Sequence, residues 1–149
     1  MAYRNIVKKG DDTLRKKCRV VEVFDDKLRD LLNDMTDTMY KANGVGLAGP
    51  QIGMLKRIFV MDCGEGLYHV VNPEIIATSG EQRDVEGCLS VPGTTGYVVR
   101  PQVVKLKYQD GYGVSHTKTF RGLEARCVCH EGDHLDGVLF IDKMDEELR

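Results

Sequence analysis

The chain has 149 residues, of which 42% are hydrophobic and 30% are charged, and its formal net charge at pH 7 is −2. This length and composition suit a chain that buries its own core, and we expect residues 1–149 to form a single domain. Lysines and arginines are scattered, which excludes the basic face of a protein that binds nucleic acid directly. No apolar run approaches the ~18 residues of a membrane-spanning helix, and no secretory signal opens the sequence, so we expect no membrane association and a cytoplasmic location.

The first long periodic segment begins near Asp26 and predicts an amphipathic helix of about four turns. Asp25 or Asp26 can cap its N-terminus, and Gly44 can end it. Apolar side chains recur on one face, at Leu28, Leu31, Leu32, Met35, Met39 and Tyr40. The glycine-rich loop at residues 44–53 lacks the Gly-Lys-Ser/Thr ending of a phosphate-binding loop. Its glycines therefore indicate a close approach of the backbone to a ligand or to a packed neighbour.

The middle of the chain predicts antiparallel strands that are separated by turns. The expected strands are residues 57–61, 67–71, 74–78, 102–108, 114–120 and 138–141. Residues 86–93 look too irregular for a plain strand, because Pro92 confines them to an edge or a bend. The order of elements predicts an α+β fold, with antiparallel strands around a C-terminal helix and an amphipathic helix near the N-terminus.

Five cysteines are present, at Cys18, Cys63, Cys88, Cys127 and Cys129. An odd number without a secretory signal or a framework spacing argues against disulfides. Each cysteine is then a small buried side chain, a metal ligand or a nucleophile, and burial is the simplest expectation for most of them.

Residues 129–134 read Cys-His-Glu-Gly-Asp-His and contain the pattern His-Glu-x-x-His. If this segment is helical, His130 and His134 lie one turn apart on the same face and can bind one metal ion. Glu131, beside the first histidine, can then reach a water in the open position of that metal. Gly132 disfavours a helix by up to ~1 kcal/mol relative to alanine, so we expect close packing behind the site to require the small residue.

A catalytic metal of this kind takes three protein ligands, so a third ligand must come from elsewhere in the chain. The segment after His134 is short, and we expect the ligand upstream. Cys88, in the bend at residues 86–93, is the best candidate. The weaker candidates are Glu146, Glu147, His69, His116 and Cys127.

A thiolate ligand would lower the net charge of the site and make the metal a weaker Lewis acid. The reaction would then depend more on Glu131 as base and on hydrogen-bond donors that face the developing oxyanion. The backbone N–H of Leu89 and the side-chain amide of Gln51 are natural donors for that role.

Taken together, residues 44–51, 86–90 and 130–135 closely resemble the three motifs of peptide deformylases, in the same order and at similar separations. The resemblance implies a metal-dependent hydrolase that removes the formyl group from the N-terminal formylmethionine of new polypeptides and releases formate. It implies one divalent metal ion, usually Fe²⁺ in the cell and replaceable by Zn²⁺, Ni²⁺ or Co²⁺. The implied ligands are Cys88, His130 and His134.

The same resemblance implies roles for further residues. Glu131 matches the general acid and base, while Gln51 and the Leu89 N–H match the oxyanion donors. The backbone of Gly46 matches a group that pairs with the extended substrate. The methionine pocket is expected at Val45, Glu86, Leu123 and Cys127. The implied partners are N-formylmethionyl nascent peptides, with a transient contact to the ribosome.

Two other functions remain open from the residues alone. An HExxH peptidase would need a downstream ligand and a cleft for peptide on both sides of the bond. A structural metal site or a peptide-binding domain would be closed by a fourth cysteine or histidine, and the sequence has no second ligand pair at zinc-finger spacing.

Overall fold

The computed structural model describes residues 2–148, which form two α-helices and eight β-strands. The helices are α1 (Asp26–Lys41) and α2 (Leu123–His134). The strands are β1 (Gly46–Ala48), β2 (Ile58–Asp62), β3 (Leu67–Ser79), β4 (Gln82–Cys88), β5 (Val91–Arg100), β6 (Val103–Gln109), β7 (Ser115–Arg121) and β8 (Glu146–Leu148). Every strand pair is antiparallel, and the fold is α+β as the sequence predicts.

The larger sheet has five strands in the order β1-β2-β3-β6-β7. Its long strand β3 joins the two separate strands that the sequence predicts at residues 67–71 and 74–78. The join is irregular at Asn72, whose φ is 52° and next to which the register with β6 shifts. The Asn72 amide compensates for this break by bonding the Val21 backbone and donating to Gln109 at 2.9 Å. A side chain thus replaces ladder hydrogen bonds at the bulge.

The smaller sheet has the order β4-β5-β8, and it corrects two expectations from the sequence. Residues 86–93 are the tip of a hairpin between β4 and β5 rather than a bend, and the irregularity that the sequence predicts is a shift in the register of this hairpin. Pro92 is tolerated because the register jumps from Gly87 opposite Thr95 to Cys88 opposite Val91, which leaves the proline outside the ladder. The predicted strand at residues 138–141 is absent, because Val138 and Leu139 have no regular secondary structure and Phe140–Asp142 form a 3₁₀ turn; the last strand of the described chain is β8.

The five-stranded sheet is buried on both faces at strand β2. Alternate side chains of a strand point to opposite faces. Ile58 and Val60 pack in the cluster that contains the apolar face of α1, whereas Phe59 and Met61 pack in the cluster that contains α2. Helix α1 begins where the Asp25 carboxylate accepts the Leu28 N–H at 3.0 Å. Its buried apolar side chains are Leu28, Leu31, Leu32, Met35 and Met39.

Within residues 2–148, neither helix combines the length and the apolarity that crossing a membrane requires.

Candidate active site

Helix α2 carries the His-Glu-x-x-His pattern and presents it towards the hairpin of the smaller sheet. The rings of His130 and His134 have centroids 5.1 Å apart. Cys88, the last residue of β4, places its Sγ 3.4 Å from Nε2 of His134. One potential ligand atom from each of Cys88, His130 and His134 lies within 4.8 Å of the other two. The structure therefore brings together the three residues that the sequence and the resemblance single out as ligands.

The weaker ligand candidates lie elsewhere. His69 is hydrogen-bonded to Thr36, and His116 to Asp110, both at 2.8 Å. Glu146 and Glu147 are exposed residues of β8. Among residues 2–148, the cluster that can hold a metal has three donors, so neither the downstream ligand of a peptidase nor the fourth ligand of a closed structural site is present.

The chemistry of the three side chains fits a divalent metal that prefers nitrogen and sulfur ligands. Burial, together with the charges of His130 and Arg100, lowers the pKa of His134 to about 3, so its imidazole stays neutral and able to bind a metal. Burial opposes the charged form of His130, but Glu131, Cys88 and Glu86 outweigh it and raise its pKa to about 10. The same excess of negative charge favours a cation at this place.

Glu86 is the buried carboxylate that fixes the first histidine. Its Oε1 lies 2.8 Å from Nδ1 of His130, which leaves Nε2 of that ring for the metal. Arg100 donates two hydrogen bonds of 2.9 Å to Glu86, and Arg126 donates one of 2.6 Å. Burial opposes the ionised carboxylate, but Arg100 and His130 outweigh it and hold the pKa of Glu86 well below its usual range. Glu86 therefore stays ionised and positions His130.

Sequence reasoning missed the two arginines of this network. Arg126 stands four residues before His130, and so on the same face of α2, while Arg100 ends a strand next to Val98 and Val99. Both side chains are buried, at 4% and 3% exposure. Buried arginines almost always pair with a carboxylate, and the position of Arg126 one turn before a candidate ligand was the available signal.

Glu131 lies beside the three ligands and is 3% exposed. Its Oε2 is 4.0 Å from Nε2 of His130, and its Oε1 has no hydrogen-bond partner among residues 2–148. Burial raises the pKa of Glu131 to about 7, despite the opposing charge of His130. A carboxyl group with this pKa can both take and give a proton near neutral pH.

Gln51 is held in a single orientation next to the cluster. It lies in the 3₁₀ turn Gly49–Ile52 and is 1% exposed. Its Oε1 accepts the Ala48 N–H at 2.9 Å, which turns its Nε2 towards Ser90 Oγ at 3.1 Å and Cys88 Sγ at 3.5 Å. An amide donor is thus fixed beside the candidate ligand, on the side where Leu89 follows Cys88.

These residues surround a cavity of about 390 Å³. All five residues that the resemblance places around the substrate line it, namely Val45, Gly46, Glu86, Leu123 and Cys127. Gln51, Cys88, Leu89, His130 and Glu131 line it as well. His134 is 1% exposed and lies behind this surface.

The prediction that close packing behind the site requires a glycine at Gly132 was wrong. A Cβ atom on Gly132 would meet nothing within 4 Å, so no close packing requires the small residue. Gly132 and Cys129 instead border a second cavity, of about 420 Å³, behind α2.

Two imidazoles, a thiol, a buried carboxyl group whose pKa is raised and an adjoining cavity are the parts of a metal-dependent hydrolase. Comparison with known proteins identifies the family to which this hydrolase belongs. The family model described as polypeptide deformylase matches residues 3–149. A peptide deformylase of Caldicellulosiruptor bescii is 57% identical over 144 residues, which cover 97% of this chain and 87% of that protein. Peptide deformylase 1 of Clostridium acetobutylicum is 53% identical over 98% of this chain and 97% of its own length.

The solved structures agree. The crystal structure of peptide deformylase from Thermotoga maritima superposes with a TM-score of 0.94 at 42% identity, covering 97% of this chain and 99% of that one. This chain belongs to the polypeptide deformylase family. It is an enzyme of protein biosynthesis that depends on a metal and removes the N-formyl group from nascent polypeptides.

Proposed function

We propose that Cys88, His130 and His134 hold one divalent metal ion and that Glu131 is the general acid and base of formamide hydrolysis. The observation that carries this proposal is the convergence of three ligand atoms within 4.8 Å beside a buried carboxyl group. The donor set suits Fe²⁺ and Zn²⁺ alike. We propose Fe²⁺ in the cell, with Zn²⁺, Ni²⁺ or Co²⁺ able to replace it. When bound, such an ion polarises a carbonyl group and acidifies water.

Glu131 performs the two proton transfers. It accepts a proton at its carboxylate from the attacking water and then donates that proton to the nitrogen of the leaving amine. Burial raises the pKa of Glu131 above its usual value, which makes its carboxylate a better acceptor for the proton of the attacking water. Glu131 is also buried, and burial strengthens each electrostatic interaction between its carboxylate and the reacting atoms.

Gln51 and the backbone N–H of Leu89 donate hydrogen bonds to the oxyanion that develops on the formyl oxygen. The Ala48 N–H fixes the orientation of the Gln51 amide before substrate arrives. A donor that needs no reorganisation is worth most in the transition state. Two neutral donors also add no charge that would compete with the metal.

Substrate lies along β1, with its methionine side chain in the cavity formed by Val45, Glu86, Leu123 and Cys127. In the described part of the chain β1 pairs with β2 alone, so one edge of β1 is open to an added peptide strand. The backbone of Gly46 pairs with the substrate backbone at this edge. The Val45 and Leu123 side chains are 46% and 53% exposed in the enzyme, so a ligand can cover apolar surface there.

The substrates are N-formylmethionyl nascent peptides, so we place the enzyme in the cytoplasm and infer a transient contact with the ribosome. All five cysteines are free thiols in the structure of residues 2–148, which suits a reducing compartment. Residues 1–149 act as a single catalytic domain in this proposal. No direct contact with nucleic acid or membrane is required for the reaction.

Two variants test the assignment of roles. Glu131→Gln should keep one metal ion per chain but lower kcat by roughly 10²–10⁴, because the proton acceptor is lost. Cys88→Ser should lose its metal ion on dialysis that leaves the metal of the wild type in place, because a hydroxyl is a poorer ligand than a thiolate. Undiminished turnover of Glu131→Gln, or unchanged metal content of Cys88→Ser, would show that the corresponding role is wrong.

A further inference from the structure

Cys127 has a second thiol as its neighbour. Its Sγ lies 3.0 Å from Sγ of Cys63, a residue 64 positions away in the sequence. Cys127 is on α2, is 4% exposed and lines the substrate cavity. Cys63 follows the last residue of β2 and is partly exposed. Neither thiol belongs to the ligand cluster, so the pair is a separate chemical feature beside the active site.

The backbone around Cys63 leaves room for a small movement. A disulfide needs an S–S distance of about 2.05 Å, so the two sulfurs must approach by about 1 Å. Cys63 opens the turn between β2 and β3, in which Gly64 and Gly66 have φ angles of +98° and +128°. A Cβ atom on either glycine would meet nothing within 4 Å, so the turn faces open space at these two positions.

The two thiols also differ in reactivity. A hydrogen bond from Cys127 lowers the pKa of Cys63, although burial and the nearby carboxylates of Glu124, Glu131 and Asp62 oppose the shift. The same hydrogen bond, together with burial, raises the pKa of Cys127. Cys63 is therefore the partly exposed thiol that ionises first, and the thiolate is the form that attacks oxidants.

We propose that Cys63 and Cys127 form a site of reversible oxidation, at which a peroxide converts the two thiols into an intramolecular disulfide. The Cys63 thiolate attacks one peroxide oxygen; an S–O bond forms, the O–O bond breaks, and the leaving oxygen takes up a proton. The Cys127 sulfur then attacks the Cys63 sulfenic acid. An S–S bond forms, the S–O bond breaks, and the Cys127 proton leaves with the oxygen as water. A dithiol reductant reverses the reaction by exchange.

The bond would tie the wall of the cavity to the β2–β3 turn. Because Cys127 lines the cavity, fixing its sulfur against Cys63 changes the space offered to the methionine side chain. This consequence rests on the proposed function, whereas disulfide formation does not. A change of one methylene in a pocket alters specificity roughly tenfold or more, and we expect a rise in KM of this order.

Mass spectrometry tests the disulfide directly. The Ni²⁺-loaded enzyme is treated with hydrogen peroxide, blocked with a maleimide and digested with trypsin without reduction. Trypsin places Cys63 in residues 58–83 and Cys127 in residues 127–143. We expect these two peptides to be recovered as one species that lacks two hydrogens and separates on reduction. Fragment ions on either side of Val128 distinguish a link through Cys127 from one through Cys129.

Two variants serve as matched controls. Cys63→Ser should give no linked peptide, whereas Cys18→Ser, which removes a buried thiol elsewhere, should give as much as wild type. Recovery of unlinked residues 58–83 from oxidised wild type contradicts the proposal, whether Cys63 is free or over-oxidised. A link from Cys63 to Cys129 contradicts it as well.

Kinetic measurements distinguish a failure of the disulfide proposal from a failure of the proposed function. Oxidised wild type should show the raised KM for an N-formylmethionyl peptide, and reduction should restore it. Cys63→Ser, treated in the same way, should keep its KM, which controls for oxidation at the metal ligands. An equal change of KM in both proteins contradicts the effect on the cavity. If neither protein releases formate, the proposed function fails while the mass result still decides the disulfide.

Discussion

A methyl group on Gly46 would lie 2.9 Å from Cδ of Glu131 and nearer still to its Oε2. The backbone of β1 therefore approaches the carboxylate of α2 as closely as a residue without a side chain allows. This contact joins the edge strand proposed to bind substrate with the proposed acid and base. Glycine is required here by the position of Glu131, a reason that the glycine-rich loop alone does not reveal.

Replacement of that glycine should impair the reaction without removing the metal. In Gly46→Ala the Glu131 carboxylate must move by about 1 Å, and a misplacement of this size can cost about 10² in rate. We expect kcat/KM to fall by about that factor while metal content, measured by mass spectrometry, stays at wild-type level, because the three atoms nearest to the new methyl group all belong to Glu131 and not to a ligand. Wild-type kcat/KM in Gly46→Ala would show that the carboxylate does not need its observed position.

Gly132→Ala is the matched glycine replacement and carries a prediction of its own. The Cβ atom would meet nothing within 4 Å, and alanine favours a helix over glycine by about 1 kcal/mol. The variant should therefore raise the free energy of unfolding by about 0.5–1 kcal/mol in urea titration, with unchanged kcat/KM. A loss of stability would mean that the helix backbone depends on glycine for a reason that packing does not explain.

Glu86→Gln should weaken metal binding, although Glu86 is not a ligand. The neutral amide cannot hold His130 as the carboxylate does, and loss of such a partner typically costs 10–100-fold in metal affinity. It also leaves Arg100 and Arg126 without their shared anion, so the free energy of unfolding should fall by about 3–5 kcal/mol. Competition with a chromophoric chelator measures the affinity.

Asp133→Asn is the control for this change. Asp133 also accepts a hydrogen bond from Arg100, at 2.7 Å, but Glu86 rather than Asp133 is bonded to His130. The control should keep its metal affinity. Equal affinities in wild type and Glu86→Gln would show that His130 is positioned without the carboxylate.

His69 should make stability depend on pH. Burial lowers its pKa, so the folded protein favours the neutral ring, which is hydrogen-bonded to Thr36 at 2.8 Å. The unfolded chain binds a proton below its ordinary pKa of about 6.5, so stability is present above that pH and is lost as pH falls towards the folded pKa. Urea titrations of metal-loaded protein between about pH 7 and about pH 5 should show a steeper loss for wild type than for His69→Gln. If the free energy of unfolding fell equally with pH in wild type and in His69→Gln, His69 would not be a source of the pH dependence.

The local patterns could be predicted because they act through neighbouring residues. The spacing of His130 and His134 places both rings on one face of a helix, and the structure has that helix. The strands predicted at residues 102–108 and 114–120, the first with alternating apolar and charged side chains at residues 104–107, likewise match β6 and β7 of the observed hairpin to within one residue. In each case the determining contacts lie within a few residues of one another, where sequence periodicity reports them.

Other features depend on partners that lie far apart in the chain. Glu86 meets Arg100, Arg126 and His130 only after three elements have packed, and the spacing of Arg126 and His130 on α2 is the one part of this network that a local pattern could indicate. Pro92 argued against a strand, yet a jump in register leaves it outside the ladder of β5. The residues alone could only rank Cys88 first among the candidates for the third ligand, because its distance to His134 depends on the whole fold. The family resemblance then identified it as the ligand.

The most direct test of the account is formate release from a short N-formylmethionyl peptide, with protein purified without oxygen and assayed before and after chelation. We predict rapid release that is lost when metal is removed and restored by Fe²⁺ or Ni²⁺. A folded protein that carries one metal ion per chain and releases no formate would contradict the account.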